Sequence, residues 1–279
     1  MNLHKQDARV IGSILVSTLC LSTQIWAQEE PVEIELEDIV AGSPSEVMVQ
    51  LAQDNAAPSS PRESAPIDLT GSWVSVVTES WRWRMVTPAR GDFQSVPINE
   101  VAYLAGMEWD PEADEAAGEL CKAYGAARIM NEPGRIRISW DNDETLRVET
   151  DSGEQTRLLH FNSSPADVSD DRSLQGYAAA EWINLFEGNE AAGIPSNGTL
   201  KVVVTNLTAG YLRKNGLPYS EDAVITEYWN LNTLSEDIPW ITITTQVVDP
   251  TYLYRPYVTS PNFKKEDTDE NWDPRPCSI

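Results

Sequence analysis

The sequence predicts a mainly β fold, an antiparallel up-and-down barrel or a strongly curved sheet, with a helical insert after strand one. Three observations carry this. Eight or more segments of similar length are rich in β-branched and aromatic residues. The links between them carry Gly, Pro, Asn and Ser, as in Gly193-Ile194-Pro195-Ser196-Asn197-Gly198 and Lys214-Asn215-Gly216-Leu217-Pro218. Within the expected folded domain only one region, residues 98–124, has helical composition; in the spacer that precedes it a short helix over Ser45–Gln53 is allowed by the spacing of Val47 and Leu51. So many strands with one helical insert favour a closed or strongly curved sheet.

Taken in order, the chain opens with His4, Lys5 and Arg9, then an uncharged stretch from Val10 to Ala27. A basic start, an apolar middle and a small residue before acidic Glu29 and Glu30 are the parts of a cleavable signal peptide, residues 1–27. Ser13, Ser17, Thr18, Ser22 and Thr23 interrupt the apolar run, which argues against an uncleaved spanning helix. Residues 28–66 read as a disordered spacer, acidic at first and then rich in Pro, Ser and Ala, a composition that buries too little to offset chain entropy. The folded domain is expected over 67–279.

Its first strand is predicted over Trp73–Met85. One face carries Trp73, Glu79, Trp81 and Trp83, and the other Arg82 and Arg84. Burial favours the rings, while arginines can keep their heads in water, so the Trp face is expected inward with Glu79 near the cavity wall. Within 98–124, Pro111 interrupts the helical region, and Glu112–Tyr124 is rich in Ala and Glu. From Gly134 strands follow at 135–140, 145–151, 154–161, 175–182, 199–207, 223–230, 240–248 and 257–263. Ser152-Gly153 reads as a two-residue hairpin link.

The formal charge is −24. Such a surface would repel phosphates and anionic lipid, so no nucleic-acid partner and no stable membrane insertion after processing are expected. Once Cys20 leaves with the signal, Cys121 and Cys277 are the only pair, and an oxidising compartment would join them. The expected location is the periplasm or the exterior of a bacterium.

Gly71-Ser72-Trp73 at the opening of strand one resembles the lipocalin signature, and Thr226-Glu227-Tyr228 is similar to that family's Thr-Asp-Tyr segment. The expected architecture is therefore lipocalin- or calycin-like. The domain is larger than a typical lipocalin and lacks its late helix. Over Asp68–Cys277 the chain also resembles a family of uncharacterised exported bacterial proteins, through WRWRMVTP (81–88), DEAAGELCKAYGA (114–126), QTRLLHF (155–161), QGYAAAEW (175–182), GYLRKNGLPYSE (210–221) and VVDPTYL (247–253). That resemblance implies that Cys121 and Cys277 belong to the domain's design.

Gly-x-Ser-x-Gly, phosphate-loop and dinucleotide patterns are missing, and no cofactor is expected. Outside the signal the one histidine is His160, which excludes a His-rich zinc site. The acidic repeat Asp267, Asp269, Asn271, Asp273 has Trp272 where a calcium loop needs Gly, so no metal is expected. Glu79, Glu181 and Glu227 lie beside aromatics on predicted strand faces. Two such carboxyls facing one cavity, or His160, would supply acid–base chemistry, whereas arginine partners would make them structural. The loop from Gly210 to Ser220, with Tyr211 and Arg213, is the anion-contacting rim of so acidic a chain, or an ordinary structured turn.

The leading functional expectation is an exported soluble barrel that binds a small, largely apolar ligand, with Trp81, Trp83, Tyr177, Tyr211, Arg213 and Trp229 as binding residues. The alternatives are a hydrolase or isomerase using Glu79, Glu181, Glu227 or His160, and a structural envelope protein whose interior is filled by side chains.

Overall fold

The computed structural model describes residues 59–162, 171–186, 197–233 and 238–278. The expected signal peptide and most of the expected spacer, its short helix included, lie outside them. In chain order the elements are β1 (Gly71–Val76), a helical turn α1 (Trp81–Arg84), α2 (Glu100–Glu108), α3 (Pro111–Ala117), β2 (Arg135–Asn142), β3 (Thr145–Thr150), β4 (Thr156–His160), β5 (Tyr177–Phe186), β6 (Asn197–Thr205), β7 (Gly210–Arg213), β8 (Leu217–Tyr219), β9 (Val224–Thr233), β10 (Pro239–Val248), β11 (Tyr257–Thr259) and β12 (Asn262–Glu266).

Nine strands close a barrel in the order β10-β12-β1-β2-β3-β4-β5-β6-β9, and β9 returns to β10 over ten residue pairs. The short β11 continues alongside β10 past the end of β12. β7 and β8 form a separate small hairpin inside the segment read as a rim loop.

Two expectations about the sheet are corrected. The barrel is mixed rather than purely antiparallel: β4 and β5 run parallel, joined by only two residue pairs, Leu159 with Ala178 and His160 with Ala179. β5 starts in the same direction as β4, which a tight hairpin between them could not provide. Strand one also stops at Val76 instead of Met85. Its two neighbours run out there: β2 begins at Arg135, behind Pro133, and β12 begins at Asn262, behind Pro261. Proline has no N–H to extend either ladder. The chain leaves the sheet, Ser80 takes a left-handed φ of 50°, and Trp81–Arg84 turn as helix.

The expected Trp face is thereby divided. Trp73 is fully buried, but Trp81 is 68% exposed, and Arg84 is the buried member of the turn. Alternation without a partner strand does not hold a side chain inward.

Elsewhere period-2 alternation builds the core. Ile136 and Ile138, Leu146 and Val148, Leu200, Val202 and Val204, Ile225 and Trp229, and Ile241 and Ile243 all point inside, each 3% exposed or less. The helical region falls where composition places it. Asn99 caps α2, and Asp110 caps α3 by accepting from the N–H groups of Glu112 and Ala113, with Pro111 in the first turn. The β3–β4 connection is longer than two residues, spanning 151–155, with Gly153 at φ +79° against the Tyr124 ring.

Cys121 and Cys277 form a disulfide. Beside it, Tyr124 Oη donates to the Ser278 carbonyl at 3.1 Å and accepts from the Ser278 N–H at 3.2 Å, pinning the C-terminal residues. The folded part begins before Ile67. Ser60 and Glu63 cap one another reciprocally, and Trp182 Nε1 donates to the Pro61 carbonyl at 2.8 Å.

Candidate functional site

The parallel β4–β5 seam is where the barrel wall is weakest. β4 ends at His160, while β5 continues to Phe186. Beyond the last pair the wall divides, with Phe161 and Asn162 on one side and Ala180 and Trp182 on the other. Residues Ser59–Ser64 cross this gap. Between them opens a cleft of about 980 Å³, also walled by Ala179, Val203, Glu144, Glu181 and Lys201.

Three aromatics gather at this place. Trp140 of β2, Phe161 after β4 and Trp182 of β5 share the inward parity of their strands. Their rings stack in series, Trp140 to Phe161 at 5.5 Å between centroids and Phe161 to Trp182 at 5.3 Å, both tilted. Phe161 and Trp182 reach the cleft and give it an apolar wall. The rim is charged: Glu63, Glu144 and Glu181 outnumber Lys201, which holds Glu181 at 2.5 Å. Its hydrogen bond to Glu181 raises the Lys201 ammonium above its ordinary value and keeps it cationic. An acidic rim over an aromatic wall admits neutral or cationic apolar molecules and disfavours anions.

The acid–base candidates are not assembled. Glu79 accepts from Arg84 at 3.2 Å, in the irregular stretch after β1. Glu181 stands on the outer face of β5, paired with Lys201. Glu227 is fully buried inside the barrel, where Arg157 grips it through two bonds of 3.0 and 3.1 Å and Trp229 Nε1 donates at 3.0 Å. His160 faces outward, its ring stacked on Tyr177 at 5.1 Å and its Nδ1 3.5 Å from Thr145 Oγ1. Each carboxylate has its own cation, and of the three only Glu181 lines the cleft.

The predicted binding residues fall in five places. Trp81 lies on the outer surface. Trp229 is packed in the interior, and Tyr177 covers His160 outside. Tyr211 donates to Asp114 at 2.7 Å in a network with Trp109 and Lys122. Burial and Asp114 push the Tyr211 phenol up, so it stays neutral. Trp83 and Arg213 do meet, with the guanidinium 4.7 Å from the ring centroid. The acidic repeat near the C-terminus is engaged by arginines: Arg137 holds Asp269 at 2.6 Å and Arg275 holds Asp273 at 2.7 Å. Among the described residues no His, Cys, Asp and Glu group is arranged to hold a metal.

Sequence reasoning missed Trp140, Phe161 and Trp182. A signal was present, because each is an aromatic on the inward parity of its strand. What was absent was the knowledge that β4 and β5 are neighbours. No family model matches the chain, and no similar curated protein or solved structure was found.

Proposed function

We propose that this protein is an exported barrel that binds a small, largely apolar ligand, neutral or cationic, in the seam cleft instead of the barrel lumen. The single observation that carries the reading is the stack Trp140–Phe161–Trp182, which ends in a charged-rimmed cleft where the wall divides. Apolar walls with a few polar groups at the edge are the usual make-up of small-ligand sites. Export is supported by the Cys121–Cys277 bond, which persists in oxidising compartments. Among the described residues, no helix is long and apolar enough to cross a membrane.

The test is a titration with a neutral apolar dye, read by quenching of tryptophan emission, beside native mass spectrometry of the purified protein. Saturable binding is expected. Trp182→Ala should weaken it at least about tenfold, as loss of a buried aromatic contact does, while Trp81→Ala should leave it unchanged. Absence of both saturable dye binding and a co-purifying ligand would overturn the reading.

One observation favours a structural envelope role instead. The lumen is filled by side chains, with Trp73, Arg157, Glu227 and Trp229 each 1% exposed or less. The same titration separates the two, since a purely structural barrel has no reason to saturate.

A further inference from the structure

In this acidic chain a group of cations is gathered and buried at one place. Arg84 of α1, Arg128 and Arg213 at the end of β7 are 8%, 4% and 4% exposed, and the Lys214 side chain is 15% exposed. Two clefts share Trp83, Arg84 and Arg128 as walls. The larger, about 200 Å³, adds Met85, Val86, Glu132, Pro133 and Lys214. The smaller, about 20 Å³, adds Asn131, Arg213 and Tyr257 among others.

The charge here does not balance. Four cations line the two clefts against one acid, Glu132, which is shared between Arg128 and Lys214. Glu79, behind Arg84, is a second acid, and Asp92, itself paired with Arg82, is a third that acts on Arg213. The remaining donors are satisfied largely by groups that bring no negative charge. Arg84 Nε reaches the Asn131 carbonyl at 2.8 Å, Arg128 the Ala123 carbonyl at 3.0 Å, and Arg213 the Gln94 carbonyl at 2.7 Å. Burial, with the charge of Arg128 added, lowers the Arg84 and Arg213 guanidiniums from their usual values. Surplus buried charge is costly unless something of opposite sign enters. One donor is also unspent: the buried Trp83 indole N–H has no hydrogen-bond partner.

We propose that this pocket binds a small oxyanion, a carboxylate carried on a short apolar group. Guanidinium forks and an indole N–H suit the carboxylate. Met85 and Val86, 59% and 65% exposed, with Pro133, offer an apolar wall beside it. A volume of about 200 Å³ lies below the roughly 300–1,000 Å³ of sites for larger ligands, so the acid is small. The pocket shares no lining residue with the seam cleft, so either site can fail without the other.

The test uses the full exported chain with benzoate and with inorganic phosphate, by calorimetry and by the Trp83 indole N–H resonance in a ¹H–¹⁵N spectrum. Saturable benzoate binding that shifts this resonance is expected, tighter than phosphate binding. Lys214→Met, at the edge of the pocket, should weaken it about fivefold or more, the scale of one charge-assisted hydrogen bond. Trp83→Phe should also weaken it. Glu132→Gln, which removes the competing acid, should tighten it; a merely structural cluster would not respond in that direction. Phosphate binding as tight as benzoate would overturn the carboxylate assignment. Binding of neither, in a protein whose unfolding shows it to be intact, would overturn the site.

Discussion

At the scale of single residues, the interior ion pair is the sharpest test of the barrel's energetics. Arg157 and Glu227 are 1% and 0% exposed by side chain, and Trp229 supplies a third bond to the carboxylate. Such a pair is held by geometry, and removing one member strands the other. Glu227→Leu should cost about 3–5 kcal/mol in urea unfolding, while replacing both residues with apolar ones of similar volume should recover most of that loss. Acid titration probes two other carboxylates. Burial raises Asp114, but bonds from Tyr211, Trp109 and Lys122 outweigh it and leave it below its ordinary value. Burial likewise raises Glu132, and Arg128 and Lys214 pull it below. Depressed folded-state values mean that the stabilisation is complete above the unfolded carboxylate range and is lost as pH falls through the lower folded values. The urea midpoint should therefore fall as pH is taken below about 4, and Asp114→Asn or Glu132→Gln should flatten that fall.

At the scale of elements, the segment from Trp73 to Met85 shows how far a pattern reaches. Trp73 is locked in the core between β2 and β12, and its indole N–H donates to the Leu69 carbonyl at 3.0 Å. Trp81, eight residues on in the same alternation, lies outside. Trp73→Ala should cost about 3–5 kcal/mol. Trp81→Ala should fall within about 0.5 kcal/mol of neutral, as exposed sites do. Thermal or urea melts of the two variants decide the matter, and equal losses would contradict the division of the strand. Arg84 reverses the expectation for its face because it meets Ser75 Oγ, Glu79 and the Asn131 carbonyl beneath the end of β1. An arginine goes inside when hydrogen-bond partners await it.

At the scale of the whole molecule, closure is achieved twice. The sheet closes through β9 and β10, and the chain closes through Cys121 and Cys277, 156 residues apart in sequence. The bond ties the helical insert to the last residues of the chain. Loop entropy assigns a closure of this length about 5 kcal/mol. The Cys121→Ser, Cys277→Ser variant should unfold at clearly lower urea than the oxidised protein, and a reducing agent should reproduce the shift in the parent. An unchanged midpoint would show that the tail is held by its packing on Tyr124 alone.

The sequence by itself determined what depends on local chemistry. Period-2 runs marked β2 to β6, β9 and β10, because an apolar face must be buried wherever a partner strand exists, whereas the β7–β8 hairpin was read as a loop and β11 and β12 as one strand. Pro111 and its neighbours marked the helices, and the surviving cysteine pair allowed one connectivity. Glu227 was correctly placed on the face of Ile225 and Trp229, since parity within one strand is a local fact. Only the tertiary structure decided what depends on neighbours. The end of β1 was set by Pro133 and Pro261, residues distant in sequence that terminate its partner strands. The parallel β4–β5 seam depended on the direction in which the chain returned, which no residue pattern in either strand records. The gathering of Trp140, Phe161 and Trp182, and that of Arg84, Arg128, Arg213 and Lys214, followed from which strands and turns became adjacent. Binding sites are made of side chains from separate segments, so their composition was present in the sequence and their assembly was not.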